Sequence, residues 1–278
     1  QCILFADDTI VYFSSHKLVQ HCIETDLASL SDWLRANKLS LNVQKTMFLL
    51  FKPGRLQIVS DIADIHVCNQ IIARINVAKF LGIFIDDELE WDEHIKHGTK
   101  KVSSGVYAIN SAKHLLSTQN LKTLYFSMVH SHLVYGNIIW GTALQHKLNK
   151  IITLQKKSIR NVLKLPYNTP SLPLFKELRI ATFSDLVNIE LNKLMYFFTH
   201  GLLPASLKSI FTTNVDVHSY ATRQNRDPHV IARSTSSASR TFIHRAPKNW
   251  LDLPHDVKSS FSQHIFKSRL KSHILQSY

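Results

Sequence analysis

Two adjacent carboxylates near the beginning of the chain are the residues best suited to chemistry. Asp7 and Asp8 separate a continuously apolar run, residues 1–6, from a β-branched and aromatic run, residues 9–14. Two such runs joined by two residues predict a β-hairpin with both carboxylates at its turn. Neighbouring carboxylates between buried strands repel each other unless a cation lies beside them, and nucleotidyl transfer by two Mg²⁺ ions uses such ligands. A plain exposed turn is the alternative, and the dipeptide alone favours neither.

A second acidic pair, Asp86 and Asp87, has different surroundings. It follows an apolar run, but residues 88–91 that come next do not form a returning strand. We therefore interpret this pair as an acidic loop that leads into a helix, without a role in metal binding.

The apolar pattern predicts an α+β domain followed by a mainly helical region. In residues 1–90 it indicates an amphipathic helix over 16–37 and strands over 1–6, 9–14, 46–52, 64–68, 71–75 and 79–85. Beyond Trp91 the spacing predicts helices over 92–115, 118–135, 144–164, 171–178, 183–200 and 257–275. Thr182 and Asp185 indicate a capping box, whereas the polar residues 212–241 predict a loop or an irregular strand.

The net charge of +13 is unevenly distributed along the chain. Residues 1–90 contain 8 Lys and Arg against 11 Asp and Glu, so the whole positive excess lies in residues 91–278. Such an excess suits a polyanion, either nucleic acid or an anionic membrane surface, and the alternative is a soluble basic protein without such a partner. The predicted helix 144–164 has apolar residues on one side and these basic candidates for nucleic-acid binding on the other: Lys147, Lys150, Lys156, Lys157, Arg160 and Lys164. A solvated helix face is the alternative for this set, and a membrane-surface helix is less favoured because its apolar side is needed for packing.

The cysteines and histidines have no metal-ligand spacing. Cys2, Cys22 and Cys68 lie among apolar neighbours and predict small buried thiols in a reducing compartment, such as the nucleus and cytoplasm. The pairs His94/His97 and His130/His132 are interpreted as solvated or core histidines. No apolar run approaches the length of a transmembrane helix, so no membrane partner is expected.

Short motifs in a fixed order resemble the reverse transcriptases of non-LTR retrotransposons, in particular the jockey-like elements of insects. The ordered set is specific and covers essentially the whole chain. It consists of the catalytic-hairpin run 4–9 (LFADDT), the segment 42–46 (NVQKT), the primer-grip run 79–83 (KFLGI), the thumb residues Trp91, His94, Tyr135, Gly136, Trp140 and Gly141, and the tail residues 249–254 (NWLDLP) and 266–267 (FK).

The resemblance implies an RNA-directed DNA polymerase, which adds dNTPs to the 3′-hydroxyl of a DNA primer on an RNA template. Asp7 and Asp8 would then be catalytic metal ligands for Mg²⁺, with Mn²⁺ as a substitute. Lys45 would lie near the incoming triphosphate as a point charge or a proton donor. Phe80, Leu81 and Gly82 would form the primer grip. The alternative for Lys45 is a solvated loop lysine, and the alternative for residues 80–82 is an ordinary buried strand.

The resemblance also implies a division of the chain into three parts. Residues 1–90 would be the C-terminal half of the palm with the primer-grip strand, built from a β-hairpin, a helix and antiparallel strands. Residues 91–165 would be a helical thumb, and residues 166–278 a C-terminal extension with a basic irregular segment at 212–245. The partners expected are an RNA–DNA duplex, a dNTP, and the N-terminal palm and fingers of the same parent chain.

A further aspartate, which the family's polymerase site requires from an upstream strand, is expected to lie before Gln1. The segments that hold the nucleotide and the template are expected there as well. Because two carboxylates without the third align Mg²⁺ ions poorly, we expect no DNA synthesis by this chain alone. The competing hypothesis is a non-catalytic nucleic-acid-binding remnant of a decayed element, whose upstream DNA would contain stop codons.

Overall fold

Two compact units make up the chain, Gln1–Glu90 and Trp91–Tyr278. The structure is a computed structural model that describes residues 2–5, 8–13, 20–51, 64–68, 70–217 and 225–278. The described strands lie in the first unit and most of the helix lies in the second. This mixture of strands and helices agrees with the predicted α+β class, whereas the division into palm, thumb and extension stays a prediction.

The first unit contains short strands around one long helix. In chain order its elements are β1 (Cys2–Phe5), β2 (Asp8–Val11), α1 (Gln20–Ala36), a 3₁₀ turn (Val43–Lys45), β3 (Met47–Leu49), β4 (His66–Val67), β5 (Gln70–Ile71), β6 (Ala73–Ile75), β7 (Val77–Phe80) and β8 (Ile83–Asp86). Its small core consists of Ile23 of α1 together with Ile65, Val67 and Ile72.

Strand pairing in this unit differs from the prediction in two places. The pairs β1–β2, β4–β5 and β7–β8 are antiparallel, but β3 pairs with β6 in parallel, so the expectation of antiparallel strands throughout was wrong. A parallel pair needs a long connection, and here β4 and β5 lie between the two paired strands. The predicted strand 71–75 is also divided, because Ile71 pairs with His66 whereas residues 73–75 pair with β3.

Residues predicted to be buried in this unit are exposed. All four residues of β1 are exposed, and so are Cys2, Cys22 and Cys68, which are free thiols. The prediction of free thiols is therefore correct, but the prediction of their burial was wrong. A two-stranded sheet has too few strands to cover its own faces, which explains the exposure of β1.

The second unit is helical in its described residues. In chain order its elements are α2 (Asp92–Ala112), α3 (Thr118–Tyr125), a π-helical turn (Phe126–His130), α4 (Ser131–Val134), α5 (Asn137–Trp140), α6 (Gln145–Val162), α7 (Ser171–Leu178), α8 (Phe183–Thr199), α9 (Ala205–Lys208), α10 (Asn214–Val217), α11 (Ser236–Arg240), α12 (Phe242–Leu251), α13 (His255–Lys258) and α14 (Gln263–Gln276).

Most of the predicted helices agree with these bounds. The predicted helix 118–135 is continuous through α3, the π-helical turn and α4, and the predicted terminal helix corresponds to α13 and α14. Helix α12 was not predicted, because Pro247 lies inside it and an interior proline is a helix-breaking signal. The short helices α10 and α11 lie within residues 212–241, so the prediction of a loop or irregular strand was wrong for them. As the capping box indicated, the Thr182 hydroxyl accepts a hydrogen bond from the Asp185 N–H at 3.3 Å.

Trp140 and His94, two residues of the predicted thumb motif, are buried. The indole of Trp140 stacks on Phe183 with ring centroids 5.2 Å apart, and the ring of His94 lies 5.2 Å from the indole of Trp140 at an interplanar angle of 58°. The Trp140 Nε1 donates a hydrogen bond of 2.9 Å to the carbonyl oxygen of Tyr135. In this structure these motif residues pack and hold α5 against α8.

Close packing of α2 against the π-helical turn depends on Gly105. A Cβ atom at this position would lie 2.6 Å from the carbonyl oxygen of Met128 and 2.9 Å from Val129. The backbone of α2 can therefore approach the π-helical turn only because Gly105 has no side chain. Gly98, on the same helix, has ordinary space, since its Cβ would lie 3.9 Å from Ile151.

Substitution of these two glycines by alanine should have opposite effects on stability. Gly105→Ala should lower the free energy of unfolding by about 1–3 kcal/mol, the usual cost of overpacking. Gly98→Ala should raise it by roughly 0.5–1 kcal/mol, since alanine is the better helix former. Urea denaturation followed by circular dichroism measures both. Equal stabilisation by the two substitutions would contradict the close packing of α2 on the π-helical turn.

Candidate functional site

The first candidate site is the hairpin that carries the two aspartates. Strands β1 and β2 pair antiparallel with Phe5 opposite Asp8 and Leu4 opposite Thr9, as the hairpin prediction requires. Asp8 is the first residue of β2, so its placement within the turn was wrong by one residue. Asp7 lies outside the described residues. The hairpin is therefore present, while the function of both carboxylates stays a prediction.

Lys45 lies at the end of a turn that its own motif builds. The Asn42 side chain accepts a hydrogen bond from the Lys45 N–H at 3.2 Å, and the Thr46 hydroxyl donates to the Asn42 carbonyl oxygen at 2.9 Å. An asparagine in this position commonly caps a helical turn. The Asn-x-x-Lys-Thr spacing thus has a local structural cause, and the turn presents Lys45 as an exposed side chain.

One apolar cluster anchors both the aspartate hairpin and the Lys45 turn. Phe13, two residues beyond β2, and Val43, the first residue of the turn, pack on the small core of the first unit. Phe48 of β3 packs on the same cluster. This shared core holds the aspartate hairpin and the Lys45 turn in one fold. Phe80, Leu81 and Gly82 are not among the described residues that form this core.

The predicted primer-grip strand is a hairpin and not a single strand. β7 and β8 pair with Phe80 opposite Ile83, and Leu81 and Gly82 form the two-residue turn between them. Both turn residues have positive φ, 47° and 80° respectively, which is the conformation of a type I′ turn. Gly82 is therefore required by the turn itself. Leucine rarely adopts positive φ, so Leu81 is held in a strained conformation and is 39% exposed.

The acidic pair at the end of β8 forms a loop before α2, in agreement with the interpretation from the sequence. The Asp86 carboxylate accepts a hydrogen bond from the Glu90 N–H at 2.7 Å, and the Asp87 N–H donates to the Asn76 carbonyl oxygen at 3.0 Å. Asp86 therefore shapes the loop that leads into α2.

Metal-ligand geometry is absent from the described residues, where no three His, Cys, Asp or Glu side chains cluster closely enough to hold an ion. His94 is buried, and burial together with His97 lowers the pKa of its imidazole. Burial is also the main cause of the lowered pKa of His130, whose Nδ1 has no hydrogen-bond partner among the described residues. His94 is therefore a core histidine and His130 is half-buried. The Mg²⁺ site stays a prediction based on Asp7 and Asp8.

The second candidate site is the outward face of α6. The inward face buries Leu148, Ile151, Ile159 and Val162 in the core, as the apolar spacing predicted. The outward face carries Lys150, Lys156 and Lys157, all exposed. Exposed lysines on one face of a helix are suited to contacts with phosphate groups.

The other three basic candidates have structural roles as well. Lys147 forms an ion pair with Asp92 at 3.0 Å, and its side chain is only 13% exposed. The Arg160 Nε donates to the carbonyl oxygen of Thr169 at 2.7 Å, which ties the following loop to the helix. Lys164 lies beyond the end of α6 in a Schellman motif, with φ 58°, where the Leu165 N–H bonds to the Arg160 carbonyl oxygen. The freely accessible charge of α6 is therefore carried mainly by the three exposed lysines.

Gln155 was not singled out from the sequence, although it organises the inward face of α6. Its side chain is buried, with Nε2 3.0 Å from both the Tyr125 hydroxyl and the Ala181 carbonyl oxygen, and Oε1 2.7 Å from the Phe183 N–H. Burial raises the pKa of the Tyr125 phenol, which keeps it protonated. The available signal was a polar residue at a position where the helical spacing requires an apolar one.

Curated relatives of this chain are RNA-directed DNA polymerases from Drosophila non-LTR retrotransposons. The chain is 26% identical over 189 residues to the probable RNA-directed DNA polymerase from transposon BS of Drosophila melanogaster, which covers 66% of this chain and 21% of that protein. It is 25% identical over 190 residues to the probable RNA-directed DNA polymerase from transposon X-element of the same species, covering 66% and 20%.

A third relative is the RNA-directed DNA polymerase from mobile element jockey of Drosophila funebris, 22% identical over 188 residues, covering 66% of this chain and 20% of that protein. The chain thus spans about a fifth of the length of these curated relatives. No protein-family model and no solved structure matches it. The similarity confirms the resemblance that the ordered motifs predicted. No helix in the described part of the chain is long and apolar enough to cross a membrane.

Relief of the strain at Leu81 should stabilise the β7–β8 hairpin. Leu81→Asn creates the Asn-Gly pair that type I′ turns prefer, and it should raise local stability by about 1 kcal/mol. Gly82→Ala is the matched control, since alanine at φ 80° should lower the local stability of the hairpin. Hydrogen–deuterium exchange of residues 77–86 measures both, and slower exchange is expected for Leu81→Asn alone. Faster exchange in Leu81→Asn would contradict the assigned turn.

Proposed function

We propose that this chain is part of an RNA-directed DNA polymerase, contributing half of the palm, the thumb and a C-terminal extension. The reaction is addition of a dNTP to a primer 3′-hydroxyl on an RNA template. The observation that carries the proposal is the similarity to three retrotransposon polymerases over about two thirds of the chain, 66% in each case. The paired β1–β2 strands around the aspartates support it independently.

Each site segment has one task in this proposal. Asp7 and Asp8 would hold Mg²⁺, and the bound ion would supply activation of the primer hydroxyl and charge stabilisation of the leaving pyrophosphate. Lys45, presented by its capped turn, neutralises the triphosphate or donates a proton to pyrophosphate. The β7–β8 turn positions the primer terminus, and its strained Leu81 is the kind of backbone feature that clusters at functional sites.

The duplex-binding task falls to the helical unit. Its residues 91–278 contain 25 Lys and Arg against 9 Asp and Glu, whereas the first unit is net negative. Lysine contacts to phosphates hold a duplex without reading its sequence. The exposed lysines of α6 are the best-placed group for this task, because the core fixes their helix and no described carboxylate pairs with them.

Polymerase activity should require a longer parent chain and the hairpin aspartate. The chain alone should not extend a DNA primer on an RNA template with dNTPs and Mg²⁺, whereas a parent that includes the upstream palm and fingers should. Asp7→Ala in that parent should abolish extension and leave duplex binding unchanged. Asp87→Asn is the matched control and should keep most of the activity, because the acidic loop lies outside the proposed site. Loss of activity in Asp87→Asn with retention in Asp7→Ala would reverse the assignment.

Charge reversal on α6 should weaken binding to an RNA–DNA duplex. Each lysine that contacts a phosphate contributes about −0.9 to the slope of log affinity against log salt for a B-DNA-like duplex. Reversal of Lys150, Lys156 and Lys157 to glutamate should therefore flatten the slope by roughly two to three units. Arg160 is left unchanged, since it anchors the loop at Thr169. The measurement is fluorescence anisotropy in a salt titration.

The control for this titration carries the same change in net charge at other places in the helical unit. Lys208, Lys248 and Lys267 are exposed residues of α9, α12 and α14. Their reversal to glutamate should change the slope much less than the α6 reversal does. Equal slopes for the two triple variants would mean that α6 is a solvated face and that only overall charge attracts the duplex.

A further inference from the structure

A pocket of about 320 Å³ lies on the surface of the helical unit, and its lining does not include the outward lysines of α6. It is formed where α14 packs beside α3 and beside the end of α7. Its lining consists of Lys122, Phe126, Arg179, Ser268, Lys271, Ser272 and Leu275. Three cations, two hydroxyls and an aromatic ring therefore face one small volume.

The three cations of this pocket have no carboxylate partner among the described residues. Lys122, Arg179 and Lys271 form none of the ion pairs found there, although Glu190 and Asp92 each pair with a lysine elsewhere in the unit. Burial lowers the pKa of the Lys271 ammonium, and the charges of Lys122 and Arg179 lower it further. Like charges held this close repel each other, and a bound anion would relieve the repulsion.

Arg179 occupies a backbone position that normally favours glycine. It follows α7 in a Schellman motif with φ 53°, where the Ile180 N–H bonds to the Phe175 carbonyl oxygen at 2.9 Å. Local geometry therefore does not explain an arginine here, since glycine would end the helix without strain. Arg179 does line the pocket, and a guanidinium can bond a phosphate through two N–H groups.

The apolar part of the pocket distinguishes it from a simple anion site. Phe126 is 37% exposed, and the rings of Tyr125 and His130 meet it at interplanar angles of 77° and 70°. Neither neighbour stacks parallel on Phe126. An exposed aromatic ring beside cations is the arrangement with which proteins bind single-stranded nucleic acid, because each base can stack on the ring.

We propose that this pocket binds one nucleotide unit of a single-stranded nucleic acid, with the phosphate on Lys122, Arg179 and Lys271 and the base against Phe126. The hydroxyls of Ser268 and Ser272 supply further donors to the phosphate oxygens. The choice of nucleic acid as the ligand rests on the proposed function. The assignment of a phosphate and a base to the site rests on the residues that line the pocket. In a polymerase that copies RNA, such a site would hold a single strand outside the duplex.

The test uses the whole chain and a labelled uridine decanucleotide in a salt titration of fluorescence anisotropy. Each phosphate contact on a single strand contributes about −0.7 to the slope, so Lys271→Gln together with Arg179→Gly should flatten it by about 1.4 units. Arg179→Gly relieves the strained backbone and should leave the chain folded. Phe126→Leu should weaken binding by about fivefold or more, since it removes the stacking surface.

Two controls separate the pocket from general charge. Lys267→Gln removes a cation from the same helix, α14, but outside the pocket lining, and should leave the slope unchanged. Uridine monophosphate should compete with the oligonucleotide at lower concentration than uridine or inorganic phosphate. A slope loss in Lys267→Gln equal to the loss per removed charge in the Lys271→Gln and Arg179→Gly double variant would overturn the proposal. Equal competition by inorganic phosphate would overturn it as well, because it would indicate an anion site without base recognition.

Failure of this inference and failure of the proposed function give different results. In the first case the chain binds the duplex through the α6 lysines, but the pocket substitutions do not change binding of single strands. This result overturns the pocket proposal alone. In the second case uridine monophosphate competes, the pocket substitutions abolish that competition, and the chain does not bind an RNA–DNA duplex. This result supports the pocket and contradicts the polymerase role.

Discussion

The buried amide of Gln155 is the interaction on which the helical unit depends. It satisfies two backbone groups, the Ala181 carbonyl and the Phe183 N–H, and also meets the Tyr125 hydroxyl. Tyr125 belongs to α3, Phe183 is the first residue of α8, and Ala181 lies two residues before it, so one side chain of α6 joins three helices. An apolar side chain there would leave buried polar groups unsatisfied, at a cost of about 1–3 kcal/mol for each. Apolar packing tolerates small rotations of a helix, but three directional hydrogen bonds do not.

The orientation of α6 connects this core constraint to function. With Gln155 bonded inward, Ile151 and Ile159 one turn away on either side are also buried, and Lys150, Lys156 and Lys157 necessarily face outward. A rotation of the helix would bury charge and expose the amide, and both changes are costly. The core thus holds the three lysines as a fixed group. A fixed group of cations loses less conformational freedom on meeting a duplex than separate flexible loops would.

Helical periodicity made the second unit largely predictable, since α7 has the predicted bounds and α6 differs from its prediction by one or two residues at each end. The first unit was less predictable because its short strands depend on turns. Leu81 at positive φ gives no sequence signal for a hairpin, so the apolar pattern predicts a single strand over residues 79–85. Contacts between distant residues were equally inaccessible. The ion pair of Lys147 with Asp92 joins two helices, and its existence depends on how they pack.

Lysine footprinting tests the proposal that the outward face of α6 contacts nucleic acid. The whole chain is acetylated briefly with and without an RNA–DNA duplex, and the modification of each lysine is measured by mass spectrometry. Lys150, Lys156 and Lys157 should lose reactivity when the duplex binds. Lys38, an exposed residue two positions beyond the end of α1 in the net-negative unit, should keep its reactivity. Unchanged reactivity of the three α6 lysines in a chain that binds the duplex would contradict the account.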